Sequence, residues 1–356
     1  MPAAGTLLAV TSATNPQMHP PQPLFLAPCL LLFAATGDFQ YAPKQGTKIT
    51  RIYNSVMELE LVDSSVEVLV DGESRDGPQP ELEISVRQES KVEVLDTFEK
   101  VEDGQILVLT RAYEVLGHEE HVQVSVDGQE RNPPDSEDES DLEGRTVRFT
   151  FDEDSESWQP AWADDEEGDE ELLSDLRATS GFAFLLPAGD DCDVGDEWEL
   201  SDDEGVEALA RLLYPLGELS LFSDGEDPEE ERETSAMFRD NLEVEEFLVA
   251  LKSKEDGLAV IQIKVEGSTA FERTPELPEE MQAMGMEVVE GFDLELLLEG
   301  ELVWDLALHH MVSLEYTAEV ELVNTSVQSG SGGGREMEIT QTQVFEGEIG
   351  YEVALR

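Results

Sequence analysis

Apolar and polar residues alternate along most of this chain. Met57, Leu59 and Leu61 interleave with Glu58 and Glu60, and Leu82, Ile84 and Val86 repeat the pattern, as do Val122, Val124 and Val126, then Val147, Phe149 and Phe151. The second half adds Ile261, Ile263 and Val265, then Phe292, Leu294, Leu296 and Leu298. From Val312 to Leu322 the alternation sets Glu315, Glu319 and Glu321 opposite the apolar positions. A period of two sends successive side chains to opposite faces, so these runs predict antiparallel strands with one dry face and one solvated face. Asp71-Gly72, Asp103-Gly104, Asp127-Gly128 and Asp256-Gly257 separate the runs and read as hairpin turns.

The helical period occurs twice. Ser201-Asp-Asp-Glu204 has the form of a capping box, and Val206, Leu209, Ala210 and Leu213 then share a face until Tyr214-Pro215 ends the pattern. A shorter helix is predicted over about 169–178, with Leu172, Leu173 and Leu176 apolar. The acidic stretches 133–141, 164–171 and 223–233 read as solvated loops, and Gly330-Ser-Gly-Gly-Gly334 as a flexible connection.

Charge changes the picture in two ways. With 83 acidic and 21 basic side chains, the formal net charge is −62. That excludes nucleic acid and anionic membrane surfaces as partners, because phosphate contacts need clustered Lys and Arg. The 40% hydrophobic content is nevertheless enough for a core. Residues 1–37 carry no charged side chain, and Leu24–Ala35 is an apolar run of signal-peptide length. Residues 1–37 are therefore expected to be a signal peptide cleaved near Gly37, although no basic residue precedes the run. Cys29 falls within that leader and Cys192 stays alone in the mature chain, among Asp residues that disfavour a thiolate.

Three landmarks recur in the same order. A glycine opens a strand at Gly46 and at Gly195; Glu-Asp-Gly precedes an apolar strand at Gly104 and Gly257; Leu-Glu-Gly occurs at Gly144 and Gly300. The spacings are 58 and 40 residues in the first set, 62 and 43 in the second. The fold class expected is α+β and β-dominated: two tandem repeats of a curled antiparallel sheet, each with about one covering helix. Residues 38–186 would form the first repeat and 187–356 the second.

The leader, the Pro43-Lys-Gln-Gly46 strand opening, and Phe184-Leu-Leu-Pro187 leading to Val194-Gly-Asp-Glu-Trp198 resemble duplicated, exported bacterial β-proteins of uncharacterised function. Their sheets are similar to the curled half-barrels of lipoprotein carriers. The resemblance implies a fold and an envelope setting, and supplies no catalytic residue.

Signatures of nucleophilic hydrolases, zinc peptidases and phosphate-binding loops are absent, and no catalytic residue is assigned. A ligand site is expected on concave apolar faces, lined by Val122, Val124, Phe149 and Phe151 in one repeat and by Leu294, Leu296 and Trp304 in the other. The same residues would otherwise simply form the core. No cofactor is called for; calcium is the cation to consider, with Asp190, Asp191, Asp193 and Asp196 as its candidates. His118 and His121, three apart on a strand, point to opposite faces, and Trp158 and Trp162 are expected to anchor a loop rather than bind a glycan. The function expected is that of an exported acidic envelope, periplasmic or extracellular protein, non-catalytic, taking an apolar small molecule or lipid, or cations. The alternatives are a metal- or carboxylate-dependent hydrolase and a calcium-stabilised surface protein.

Overall fold

The computed structural model describes residues 39–217 and 234–356, less 40, 76–80, 103, 135, 164–167, 169, 175, 179–181, 188–191, 235, 276, 278–280, 283–284 and 333–334. The leader region 1–37 and the acidic stretch 223–233 lie outside the described residues.

One antiparallel sheet runs through the molecule. Its first-half strands are β1 (Lys48–Val70), β2 (Glu73–Arg75), β3 (Leu82–Glu102), β4 (Gln105–Val126), β5 (Gln129–Glu130), β6 (Ser136–Glu139), β7 (Thr146–Asp152) and β8 (Ser157–Trp162). The short helix α1 (Glu171–Ser174) follows, then β9 (Glu197–Glu199) and helix α2 (Asp202–Leu213). The chain ends in a five-strand meander: β10 (Leu242–Glu255), β11 (Leu258–Arg273), β12 (Glu287–Asp305), β13 (His310–Gly332) and β14 (Arg335–Leu355). The order across the sheet is β8-β7-β4-β3-β1-β14-β13-β12-β11-β10-β9, with β2, β5 and β6 as short additions. The halves are joined by β1 and β14, paired from Arg51–Leu355 to Val70–Met337. The two-sheet arrangement expected from the sequence is thus a single sheet.

Turn chemistry explains the hairpins. Asp71/Gly72, Asp127/Gly128 and Asp256/Gly257 all have positive φ at both positions, the geometry whose twist matches the flanking strands. The glycine-rich 330–334 segment departs from expectation, because Gly330, Ser331 and Gly332 continue β13 in register with β14. Within the acidic stretch 133–141, residues 136–139 pair with β4 as β6.

Two of the three repeated landmarks occupy matching places. Gly46 N–H donates to the Phe98 carbonyl at 2.7 Å and Phe98 N–H to Thr47 at 3.1 Å. Gly195 N–H likewise donates to Leu251 at 2.8 Å and Leu251 N–H to Asp196 at 3.0 Å. Phe98 and Leu251 each stand six residues before the hairpin glycine, Gly104 or Gly257. The third landmark does not match: Gly144 is a turn residue with φ of 74°, whereas Gly300 lies inside β12 opposite Ile263 and Tyr316. Strand lengths differ too, since Gly46 opens a 23-residue strand and Gly195 a three-residue one.

The dry face curls inward. Tyr41 touches Phe98 on β3 at 6.3 Å and Trp304 on β12 at 6.2 Å between ring centroids. In a flat sheet those strands, four spacings apart, would be about 19 Å distant. Glycines on the dry face permit close approach: a Cβ on Gly300 would lie 2.5 Å from the Tyr316 Cβ, and one on Gly347 would collide with the Glu58 carbonyl of β1. The enclosed core gathers Val94, Phe98, Leu109 and Phe149 from one half with Ile261, Leu298, Leu302 and Trp304 from the other.

Helix α2 covers part of this face. The Glu204 carboxylate accepts from the Ser201 amide at 3.4 Å, as the capping pattern anticipates, and also from the Ser201 hydroxyl at 2.8 Å. Its most buried residues are Ala208, Leu209, Ala210 and Leu212, and the Leu212 carbonyl accepts from the Tyr316 hydroxyl at 2.9 Å. The helix predicted over 169–178 shrinks to the single turn of α1, after which Leu176 forms an isolated bridge to Gly217. Among the described residues the first half shows no helix of α2's length, so a covering helix in each repeat is not seen.

Candidate functional site: glutamate rows and buried charges

Alternation that puts Leu and Val on the dry face puts glutamate on the other, and strand register lines those glutamates up. Glu60 on β1 faces Glu346 on β14, Glu346 faces Glu321 on β13, and Glu321 faces Glu295 on β12. The next row runs Glu58, Glu348, Glu319, and a third Glu352, Glu315, Glu301. Side chains directly opposite in an antiparallel pair stand about 5 Å apart, where like charges destabilise. Six strands, β1 and β10–β14, shape this face into a concavity of about 960 Å³ lined by nine glutamates: Glu58, Glu60, Glu245, Glu266, Glu295, Glu319, Glu321, Glu346 and Glu348.

Cations stand at its margins. Arg87 on β3 pairs with Glu58 and donates from Nε to Glu89 at 2.7 Å. On the far side Lys264 Nζ donates to Glu246 and Glu266, each at 2.7 Å, which raises its pKa above the ordinary lysine value. These contacts compensate the two ends of the face.

Beneath the opposite face lies a second charged group, fully enclosed. Arg51, Asp96 and Arg111 occupy dry-face positions on β1, β3 and β4 and are at most 2% exposed. Asp96 accepts from Arg111 Nε at 2.7 Å and Nη2 at 3.0 Å, and from Arg51 Nη1. Arg111 Nη1 also donates to the Arg177 carbonyl at 2.8 Å, and Arg51 Nη2 to the Tyr41 hydroxyl at 2.9 Å. Burial raises the pKa of Tyr41 and of Tyr113, against the opposing pull of nearby guanidiniums. Sequence analysis did not single out this triad. The signal present was a charged residue in an apolar slot: Ile49-x-Arg51-x-Tyr53, Val92-x-Val94-x-Asp96-x-Phe98 and Leu109-x-Arg111-x-Tyr113.

The expected ligand-lining residues separate into groups. Phe149 and Trp304 are fully enclosed in the core, and Leu296 is buried. Leu294 is half-buried and packs against that core, whereas Phe151 meets Trp158 edge-on at 5.4 Å. Val122 and Val124 are half-buried on β4, opposite Val86 and Ile84. Phe149, Leu296 and Trp304 share one buried cluster, and Val122 and Val124 are not among its members.

Other candidates fall as follows. Asp190 and Asp191 lie outside the described residues. The Asp196 carboxylate accepts the Asp193 amide at 2.8 Å and so closes the turn at Gly195. His118 faces the dry side, 2.7 Å from the Ser90 hydroxyl, while His121 is paired with Arg87 one position beyond the alternation. Leu306–His309 form a turn whose amides at Ala307 and Leu308 both donate to Asp305, and His310 opens β13. Trp158 and Trp162 lie on β8 and pack against the core.

No protein-family model matches the chain, and no curated protein matches it. Among solved structures, the outer membrane protein OprG from Pseudomonas aeruginosa aligns over 88% of this chain and 98% of its own, at 9% identity and a TM-score of 0.24. The toluene transporter TodX from P. putida aligns over 90% and 92%, at 8% identity and a TM-score of 0.11. The β domain of the Bordetella autotransporter Brka covers 84% and 99%, at 8% identity and a TM-score of 0.09. The likeness is distant.

Proposed function

We propose that this is a non-catalytic binding or structural protein of the bacterial envelope or exterior, whose glutamate rows collect cations from a cation-rich medium. The row Glu60–Glu346–Glu321–Glu295 carries this reading. Four carboxylates directly abreast are unfavourable for folding, so a soluble strand would do better with Gln, Thr or Lys at some of these positions. On a concave surface the same carboxylates reinforce one another's field and concentrate counter-ions. The cations envisaged are mobile ones, and a basic chain segment is a second ligand of the same chemistry.

Export is supported by the uncharged apolar run 24–35 ahead of a chain in which every charged residue lies beyond position 37. Descent from a duplicated sheet unit is supported by the matching turns at Gly46 and Gly195. The glutamate rows argue against lipid contact on their own face of the sheet, since a membrane-facing strand surface must be apolar through the hydrocarbon depth. If an apolar molecule is also bound, the half-exposed Val122 and Val124 are better placed for it than Phe149 or Trp304.

Equilibrium dialysis of the purified chain against sodium, magnesium and calcium, with melting curves at matched ionic strength, tests the reading. Many exchangeable cations per chain and stability that rises with ionic strength are expected. One tightly held calcium ion would instead favour a calcium-stabilised surface protein. Stability indifferent to salt would remove the proposal.

A further inference from the structure

Buried charge does not balance in this molecule. The buried charged side chains among the described residues are Arg51, Asp96 and Arg111, which sum to one excess positive charge inside a chain of net charge −62. Paired guanidiniums are tolerable in a core only when their donors and charge are met. Here Arg51 Nε and the Tyr53 hydroxyl are buried with no hydrogen-bond partner among the described residues. The Tyr113 hydroxyl lies against Arg111 without a well-formed hydrogen bond.

These groups belong to one neighbourhood. Arg51 and Tyr53 are two residues apart on the dry face of β1, and the register Arg51–Val94–Tyr113 carries the row across β3 to β4. Tyr41, bonded to Arg51, is within electrostatic reach of Tyr53 and Arg111 as well. Burial raises the pKa of Tyr41 and Tyr113, and a phenol hydroxyl can donate as well as accept. The set therefore offers donors and one positive charge, and its acceptor, Asp96, is already occupied by both arginines.

We propose that Arg51, Tyr53 and Tyr113 hold one small monovalent inorganic anion of the halide type, which neutralises the triad. Water would satisfy the donors but leave the charge. A multiply charged oxyanion would overcompensate it. Because the surface repels anions, the ion enters as the sheet closes over it and exchanges slowly thereafter.

Melting curves of the full chain in sodium gluconate, with chloride or bromide substituted at constant ionic strength, test the site, since screening of the glutamate rows is then unchanged. A saturable rise in Tm with chloride and bromide is expected, with anomalous scattering from bromide beside Arg51 Nε in crystals. Arg51→Met, which removes the excess charge, should abolish the rise. Tyr53→Phe, which keeps the triad intact, should raise the half-saturating concentration about tenfold, as for loss of one hydrogen bond to a charged group. If Arg51→Met does not fold, the Tyr53→Phe titration and the bromide position decide. Identical curves in gluconate and chloride, bromide on the surface as an adventitious ion only, or a response unchanged by Tyr53→Phe would each overturn the proposal.

Discussion

Glu348 lies directly opposite Glu58 across the β1–β14 seam, like charge against like charge, at the one junction that joins the two halves of the sheet. Arg87 reaches Glu58 from the other side, and Glu348 meets a further carboxylate, Glu319, on β13. Replacing Glu348 by Gln keeps the side-chain shape and removes two cross-strand repulsions. Glu348→Gln should therefore stabilise the protein at low ionic strength by about 0.2–1 kcal/mol per relieved pair. The gain should fade near 1 M salt, where the screening length falls to about 3 Å. Urea midpoints of both proteins at low and high salt check this, and a gain that persists in high salt would point to packing instead of charge.

Gly300 tests why the dry face can curl. Its missing Cβ is replaced in space by Tyr316, whose Cβ would be 2.5 Å from the new methyl, and the Glu315 carbonyl would be 2.6 Å away. Tyr316 cannot retreat easily, because it stacks on Tyr351 at 5.0 Å and its hydroxyl is bonded to α2. Gly300→Ala should lower stability by about 1–3 kcal/mol, as overpacking does elsewhere. Gly117, where an added methyl would meet nothing within 4 Å, is the control and should tolerate alanine. Chemical denaturation of both variants measures the difference.

These two positions also show what the amino-acid pattern could convey. Alternation at 57–61 and at 312–322 marks strands and their faces because both sides of the pattern act locally, and the positive-φ Asp-Gly turns and the Ser201–Glu204 cap are equally local. The abutment of Glu58 and Glu348 depends on pairing between residues 290 positions apart in the chain, for which no local signal exists. Gly300 reads like Gly144 in sequence, yet one fills a strand beneath a tyrosine and the other makes a turn. Arg51, Asp96 and Arg111 each interrupt an apolar run singly, and only register shows that they meet.

Asp96 is the acceptor both buried guanidiniums share. Removing it leaves two enclosed positive charges facing each other. Asp96→Ala should cost about 3–5 kcal/mol, the scale for breaking a buried pair. The triple replacement Arg51→Met, Asp96→Leu, Arg111→Met should recover most of that loss, because desolvation of the ions disappears with them. Equilibrium unfolding of the single and triple variants is the measurement. A triple variant no better than Asp96→Ala would mean that the triad, and the Arg111 contact to the Arg177 carbonyl, specify the fold beyond their charge.

Alkaline unfolding follows from the tyrosines. Burial raises the pKa of Tyr41, Tyr113, Tyr316 and Tyr351 above the ordinary value of 10.0, and for Tyr316 and Tyr351 neighbouring phenols push in the same direction. In the unfolded chain these groups ionise near pH 10, whereas the folded protein retains their protons to higher pH. Between those limits the native state binds more protons than the unfolded one, so stability falls as pH rises. Below pH 10 the contribution is fully present. Stability should therefore decline steeply above about pH 10, with phenolate absorbance from these side chains appearing together with loss of sheet circular dichroism. Tyr316→Phe, which gives up the bond to the Leu212 carbonyl, should lower stability at neutral pH and make the alkaline decline shallower. Phenolate absorbance that rises fully while the sheet signal is unchanged would show that these hydroxyls are open to solvent.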